Sequence, residues 1–148
     1  MQVDDILATS PKVLTQEQRE FYFENGYLLL ESFIPQEWID RLLTVTDRMI
    51  ERSREVTESD TIFDVEPGHS ASEPRLRRES SPVDHDPVYW EYASQSMIPD
   101  VARDLVGPDV KFHHSKLNFK WPKGGEEVKW HQDISFWPHT NYSPLTIG

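Results

Sequence analysis

The chain has no cysteine. Disulfides and thiolate metal sites are therefore excluded, and any metal must be held by His, Asp or Glu. Basic residues are also few: 15 Lys and Arg against 26 Asp and Glu leave a formal net charge of -11 over 148 residues. A broad nucleic-acid surface needs clustered Lys and Arg to displace counterions, so no nucleic-acid partner is expected and a small-molecule substrate is. Long apolar runs are missing too. None approaches the ~18 residues that a membrane span needs, and Asp4 and Asp5 stand where a signal peptide carries positive charge. The expectation is no membrane partner and a cytoplasmic location.

What is present is enough to fold. Five Trp, five Tyr and seven Phe within a 36% hydrophobic composition argue for a packed core, and the length suits one domain or part of one. Thr15 and Gln18 have the spacing of a capping box, and Gly26 follows an aromatic stretch, which predicts a helix over 16–25. Tyr27 to Phe33 is a compact apolar run ending before Pro35 and reads as a buried strand. From Gln36 to about Val56, apolar residues recur at helical spacing. Residues 57–87 are rich in Pro, Ser, Glu and Asp and read as one long loop. Two short helices, 88–95 and 98–106, should close at Gly107-Pro108. Beyond them the pattern turns to strands at 110–121, at 127–135, and again from Asn141. Helices first and strands last suggest a helical layer packed on one sheet of a β-rich, unfinished domain.

The chemistry concentrates near the end. His131-Gln132-Asp133 places an imidazole and a carboxylate two residues apart. On a strand such positions share a face, ~6.6 Å apart along the chain, within reach of one metal. Completed by a second His, this pair is the facial triad of non-haem Fe(II) oxygenases. In the preceding strand Leu117, Phe119 and Trp121 alternate with Lys116, Asn118 and Lys120. The polar face is either solvated or lines a pocket, where a Lys amine would pair with an anionic cosubstrate.

The stretch from His114 to Pro122, with Trp130-His131-Gln132-Asp133 and Trp137-Pro138 after it, strongly resembles the phytanoyl-CoA dioxygenase family. The opening from Thr15 to Phe33, with Gly26-Tyr27-Leu28 after its aromatic helix, resembles that family's N-terminus. The resemblance implies an α+β, mostly β fold: a double-stranded β-helix (jelly roll, cupin-like) with N-terminal helices packed on its outer sheet. In this chain it would be one partial domain. Residues 1–108 would supply the helical layer with one early strand and the 57–87 loop, and residues 109–148 the first jelly-roll strands. The implied activity is hydroxylation of a small molecule with Fe(II), 2-oxoglutarate and O₂, ascorbate serving as reductant. His131 and Asp133 match two iron ligands. Lys116 and Asn118 match positions that help hold 2-oxoglutarate, with Lys116 standing where several relatives carry Arg. No catalytic residue beyond the metal ligands is implied. The distal His and cosubstrate Arg of the family have no counterpart before Gly148, so a fragment or a truncated product, inactive alone, is expected. Its exposed sheet edges would engage a second copy or a missing C-terminal half.

Two other readings stay open. One is a non-catalytic truncated relative acting as an interaction module; the other is a cupin-like metal enzyme that does without 2-oxoglutarate and has no need of Lys116. His113 and His114, adjacent on a strand, should face opposite ways. His69, His85 and His139 read as surface residues, and Arg75, Arg77 and Arg78 as a solvated loop or a lid meeting an anionic substrate group.

Overall fold

The computed structural model describes residues 2–122, 125, 127–135 and 144–148. In chain order they form α1 (Val3–Leu7), α2 (Gln16–Asn25), α3 (Gln36–Ser53), β1 (Phe63–Val65), β2 (Leu76–Ser80), α4 (Pro87–Gln95), α5 (Ile98–Val106) and β3 (Lys116–Asn118). Single 3-10 turns occupy Pro82–Asp84 and Asp133–Ser135. The strands make one antiparallel sheet in the order β1-β2-β3. The architecture is α+β, and helices dominate the described residues. None of the described helices is long and apolar enough to cross a membrane. The chain divides into two compact units, Met1–Phe33 with Ala93–Phe112 and Lys129–Gly148, and Ile34–Tyr92 with His113–Val128.

The first unit is organised by a buried charge. In α5, Val101 and Leu105 lie one turn apart and pack with Leu14, Tyr22, Leu28, Leu30, Phe33 and Leu145. Asp104 sits between them, 2% exposed, and its carboxylate accepts three consecutive backbone N–H groups, from Lys12, Val13 and Leu14, at 2.7–3.0 Å. The Asp104 carbonyl in turn accepts from Arg19 Nε at 3.0 Å, and the rest of that fully buried guanidinium bonds the Ile6 and Thr9 carbonyls. One acid and one base thereby tie α1, the 12–14 segment, α2 and α5 together. Burial alone would raise the Asp104 pKa, but the three N–H donors and the Arg19 charge hold it below the usual carboxylate range. The capping box at Thr15 forms, with Gln18 N donating to Thr15 Oγ1 at 3.1 Å and Thr15 N to Gln18 Oε1 at 2.8 Å. Helix α2 ends where Gly26 turns left-handed at φ 79°.

The expected strand at 27–33 does not form. Its period-two pattern is present, since Leu28 and Leu30 face the core while Tyr27 and Leu29 are 62% and 72% exposed. No strand among the described residues pairs with it, and Glu31-Ser32 closes as a turn with Ser32 at φ 53°.

In the second unit α3 buries Val45, Met49 and Ser53, one turn apart in succession. It stops at Ser53, three residues before the expected end. His69 caps the end: its Nδ1 accepts Arg75 N–H at 2.9 Å, so Nε2 carries the proton and donates to the carbonyls of Ser53 and Val56 at 2.9 and 3.1 Å. His69 is thus a half-buried clamp on a helix end, not the surface residue expected from sequence.

The segment expected as one loop contains a hairpin. Phe63 pairs with Glu79, Asp64 with Arg78 and Val65 with Leu76, leaving Arg77 as the extra residue of a bulge. In a regular strand residues three apart face opposite ways; the bulge instead turns both Leu76 and Glu79 inward, each 0% exposed. Arg77 and Arg78 consequently both point outward and share one carboxylate, Asp64, at 3.6 and 3.2 Å. The arginines are strand residues, and the loop reading is corrected. Leu76 packs with Met49, Phe63 and Phe119, and Trp121 Nε1 donates to the Leu76 carbonyl at 2.7 Å. Both carboxylate oxygens of Glu79 are buried with no hydrogen-bond partner among the described residues. Burial pushes its pKa up to about 7, against the attraction of Arg52 and with the repulsion of Asp86.

Two measurements check these cores. Asp104→Ala leaves three backbone donors and a buried arginine uncompensated, so urea denaturation at pH 7 should show a loss of about 3 kcal/mol. For Glu79 the folded state holds its proton more tightly than the unfolded chain. Its contribution is therefore fully present below pH ~4.5 and is lost as pH rises through about 7. Glu79→Gln should match the wild type near pH 4 and exceed it by at most about 3 kcal/mol at pH 8. A gap that does not change with pH would refute this account of the buried carboxyl.

Candidate metal centre

The strands expected over 110–121 and 127–135 are mostly absent. Only Lys116–Asn118 enters the sheet; residues 127–132 adopt no regular element, and a 3-10 turn begins at Asp133. The turn is closed locally, Ser135 donating to the Gln132 carbonyl from both its backbone N, at 3.1 Å, and its hydroxyl, at 2.6 Å. His131 and Asp133 therefore do not share a strand face, yet the turn brings His131 Nε2 within 3.2 Å of Asp133 Oδ1. Both side chains remain partly accessible, at 34% and 26%.

The hydrogen bonds assign the ring. His131 Nδ1 lies 2.6 Å from the Lys129 carbonyl, which can only accept, so Nδ1 carries a proton. The other ring nitrogen, Nε2, faces the Asp133 carboxylate. An octahedral first-row metal with ligands at about 2.1 Å would place neighbouring donors ~3 Å apart. The donor set, the spacing and the carbonyl on Nδ1 all fit an iron held by Nε2 and Oδ1. Thr146 Oγ1 donates to Asp133 Oδ2 at 2.9 Å, and the neighbouring Leu145 packs in the core of this unit.

Among the described residues no group of three or more His, Cys, Asp or Glu is placed to hold a metal. His113 and His114, expected to face opposite ways, are instead in edge contact at 4.6 Å with their Nδ1 atoms hydrogen-bonded, because residues 111–115 are not a strand. His85 Nε2 lies 3.1 Å from the Ser80 carbonyl, and His139 and Trp137 lie outside the described residues. Lys116 and Asn118 are exposed on β3, opposite Ser80 and Arg78 of β2. They belong to the second unit, whereas His131 and Asp133 belong to the first. Sequence reading missed Thr146, which offered only a hydroxyl in an apolar stretch, and the Lys129 carbonyl, which no side-chain pattern reveals.

The family model for phytanoyl-CoA dioxygenase (PhyH) matches residues 22–148, the site included. The chain belongs to that family. It is 31% identical over 136 residues to a probable alpha-ketoglutarate-dependent hypophosphite dioxygenase of Stutzerimonas stutzeri, covering 92% of this chain and 47% of the relative. It is 28% identical over 124 residues to the ectoine dioxygenase of Bordetella parapertussis, covering 84% and 38%. Identity to the peroxisomal phytanoyl-CoA dioxygenase of Homo sapiens is 26% over 131 residues, covering 85% and 39%. The chain thus spans less than half the length of these relatives. No solved structure matches it.

If the His131–Asp133 pair holds a metal, equilibrium dialysis against Mn(II) should show binding by the wild type that His131→Ala and Asp133→Ala each reduce by more than about tenfold, since each removes a ligand and not merely an outer partner. Unchanged binding in both variants would place the metal elsewhere.

Proposed function

We propose that the chain supplies part of the active site of an Fe(II)- and 2-oxoglutarate-dependent dioxygenase that hydroxylates a small molecule. The observation that carries this reading is the 3.2 Å approach of His131 Nε2 to Asp133 Oδ1 with Nδ1 tied to a backbone carbonyl. The relatives support it, being named as a probable hypophosphite dioxygenase, an ectoine dioxygenase and a phytanoyl-CoA dioxygenase. His131 and Asp133 hold the iron, the carbonyl of Lys129 keeps the imidazole in the ligating tautomer, and Gln132 closes the turn through its carbonyl. Iron with 2-oxoglutarate and O₂ supplies the oxidising power for the C–H bond, and ascorbate keeps the metal reduced.

Lys116 and Asn118 hold the 2-oxoglutarate, the ammonium pairing with a carboxylate and the amide donating a hydrogen bond. The fold in this reading is a jelly roll of which residues 1–148 form one partial domain. Strands β1 and β3 stand at the two ends of the strand order β1-β2-β3, and in this reading the remaining strands or a second copy continue the sheet.

The test is turnover. The 148-residue chain is given Fe(II), ascorbate and 2-oxoglutarate without oxygen, O₂ is admitted, and succinate is measured. Metal binding without succinate is expected, because the described residues hold two ligands and not three. Succinate at ~1 s⁻¹ or faster from a monomer would contradict the incomplete site. Lys116→Ala should weaken 2-oxoglutarate binding by roughly tenfold, about 1.4 kcal/mol, while leaving Mn(II) binding in place. Equal affinities would remove Lys116 from 2-oxoglutarate binding.

A further inference from the structure

We propose that Thr146 is a positioning residue for the metal centre: its hydroxyl holds Asp133 Oδ2 so that Oδ1 alone faces the ion. The inference rests on reading His131 and Asp133 as ligands and deepens it. The two carboxylate oxygens already have different surroundings. Oδ1 lies 3.2 Å from His131 Nε2, while Oδ2 accepts from Thr146 Oγ1 at 2.9 Å. A carboxylate free to turn must be ordered anew when it takes up a metal, at a cost in affinity, whereas one held through Oδ2 already aims Oδ1 at the ion.

Thr146 is suited to this task by its place in the chain and by its side chain. Leu145 is half-buried against Leu14, Val101 and Leu105, whereas Thr146 is exposed, so the anchored residue and the donating residue are adjacent. Branching at Cβ restricts χ1, which keeps the hydroxyl directed once the backbone is set. The ligand Asp133 is thereby referenced to the helical core of its own unit through one hydrogen bond and one apolar contact. Thr146 touches neither metal nor substrate and acts through Asp133.

A merely structural hydrogen bond would stabilise the chain without tuning the metal, and the two roles separate experimentally. Mn(II) is titrated into the wild type, Thr146→Val, Thr146→Ser and Asp133→Ala, binding being read from the loss of the free-ion EPR signal; metal-free thermal unfolding is recorded for each. Thr146→Val should bind Mn(II) about tenfold more weakly, as expected for an outer-shell partner. Its metal-free melting temperature should stay near the wild type, and Thr146→Ser should restore affinity. If Asp133→Ala binds weakly but Thr146→Val binds like the wild type, the role of Thr146 is overturned and the metal site stands. If Asp133→Ala binds like the wild type, the ligand reading itself fails, and the role of Thr146 with it. Should Thr146→Val fail to fold, Thr146→Ser decides: affinity unlike the wild type in a folded Ser variant overturns the proposal.

Discussion

Asp104 is the constraint on which the first unit depends. A carboxylate 2% exposed, accepting three consecutive backbone N–H groups from residues 12–14, fixes that segment against α5. Leu14 is drawn by the same contact into the core with Val101 and Leu105. Arg19 completes the arrangement from α2, bonding the carbonyls of Asp104, Thr9 and Ile6. The desolvation of both charges is offset by hydrogen bonds to backbone groups that would otherwise be stranded. This core then receives Leu145, and through the neighbouring Thr146 it reaches a residue of the candidate metal centre.

The second unit is shaped by a bulge. One extra residue, Arg77, changes the parity of β2, so that Leu76 joins the apolar cluster and Glu79 follows it inward while two arginines turn out to Asp64. Placing Glu79 there leaves a carboxyl without a partner among the described residues, which is why the unit should be less stable above neutral pH. The cluster is closed by Phe119, the residue after β3, and Trp121 follows it with a hydrogen bond to the Leu76 carbonyl.

Local rules were legible where local interactions decide. The Thr15–Gln18 capping box, Gly26, the Met49 face of α3 and the Gly107 stop all rest on contacts within a few residues, and the helices formed close to where the pattern predicts. Strands need partners. Tyr27–Leu30 kept its alternation of buried and exposed side chains without becoming a strand, because no described strand pairs with it. The hairpin in 57–87 was hidden for another reason: Leu-Arg-Arg-Glu-Ser does not alternate, since the bulge that makes it a strand also breaks the period. At the candidate site, residue types and spacing pointed to His131 and Asp133 as a pair, but the strand face expected to bring them together is absent. A turn does it.

The central claim is that the turn at Gln132 prepares one imidazole nitrogen and one carboxylate oxygen for the same ion. A crystal structure of the chain soaked with Mn(II), with anomalous scattering to locate the metal, tests it most directly. The account predicts an ion bound by His131 Nε2 and Asp133 Oδ1, with Nδ1 still on the Lys129 carbonyl and Thr146 still on Oδ2. An ion ligated through Nδ1, or an anomalous peak only at other residues, would contradict it.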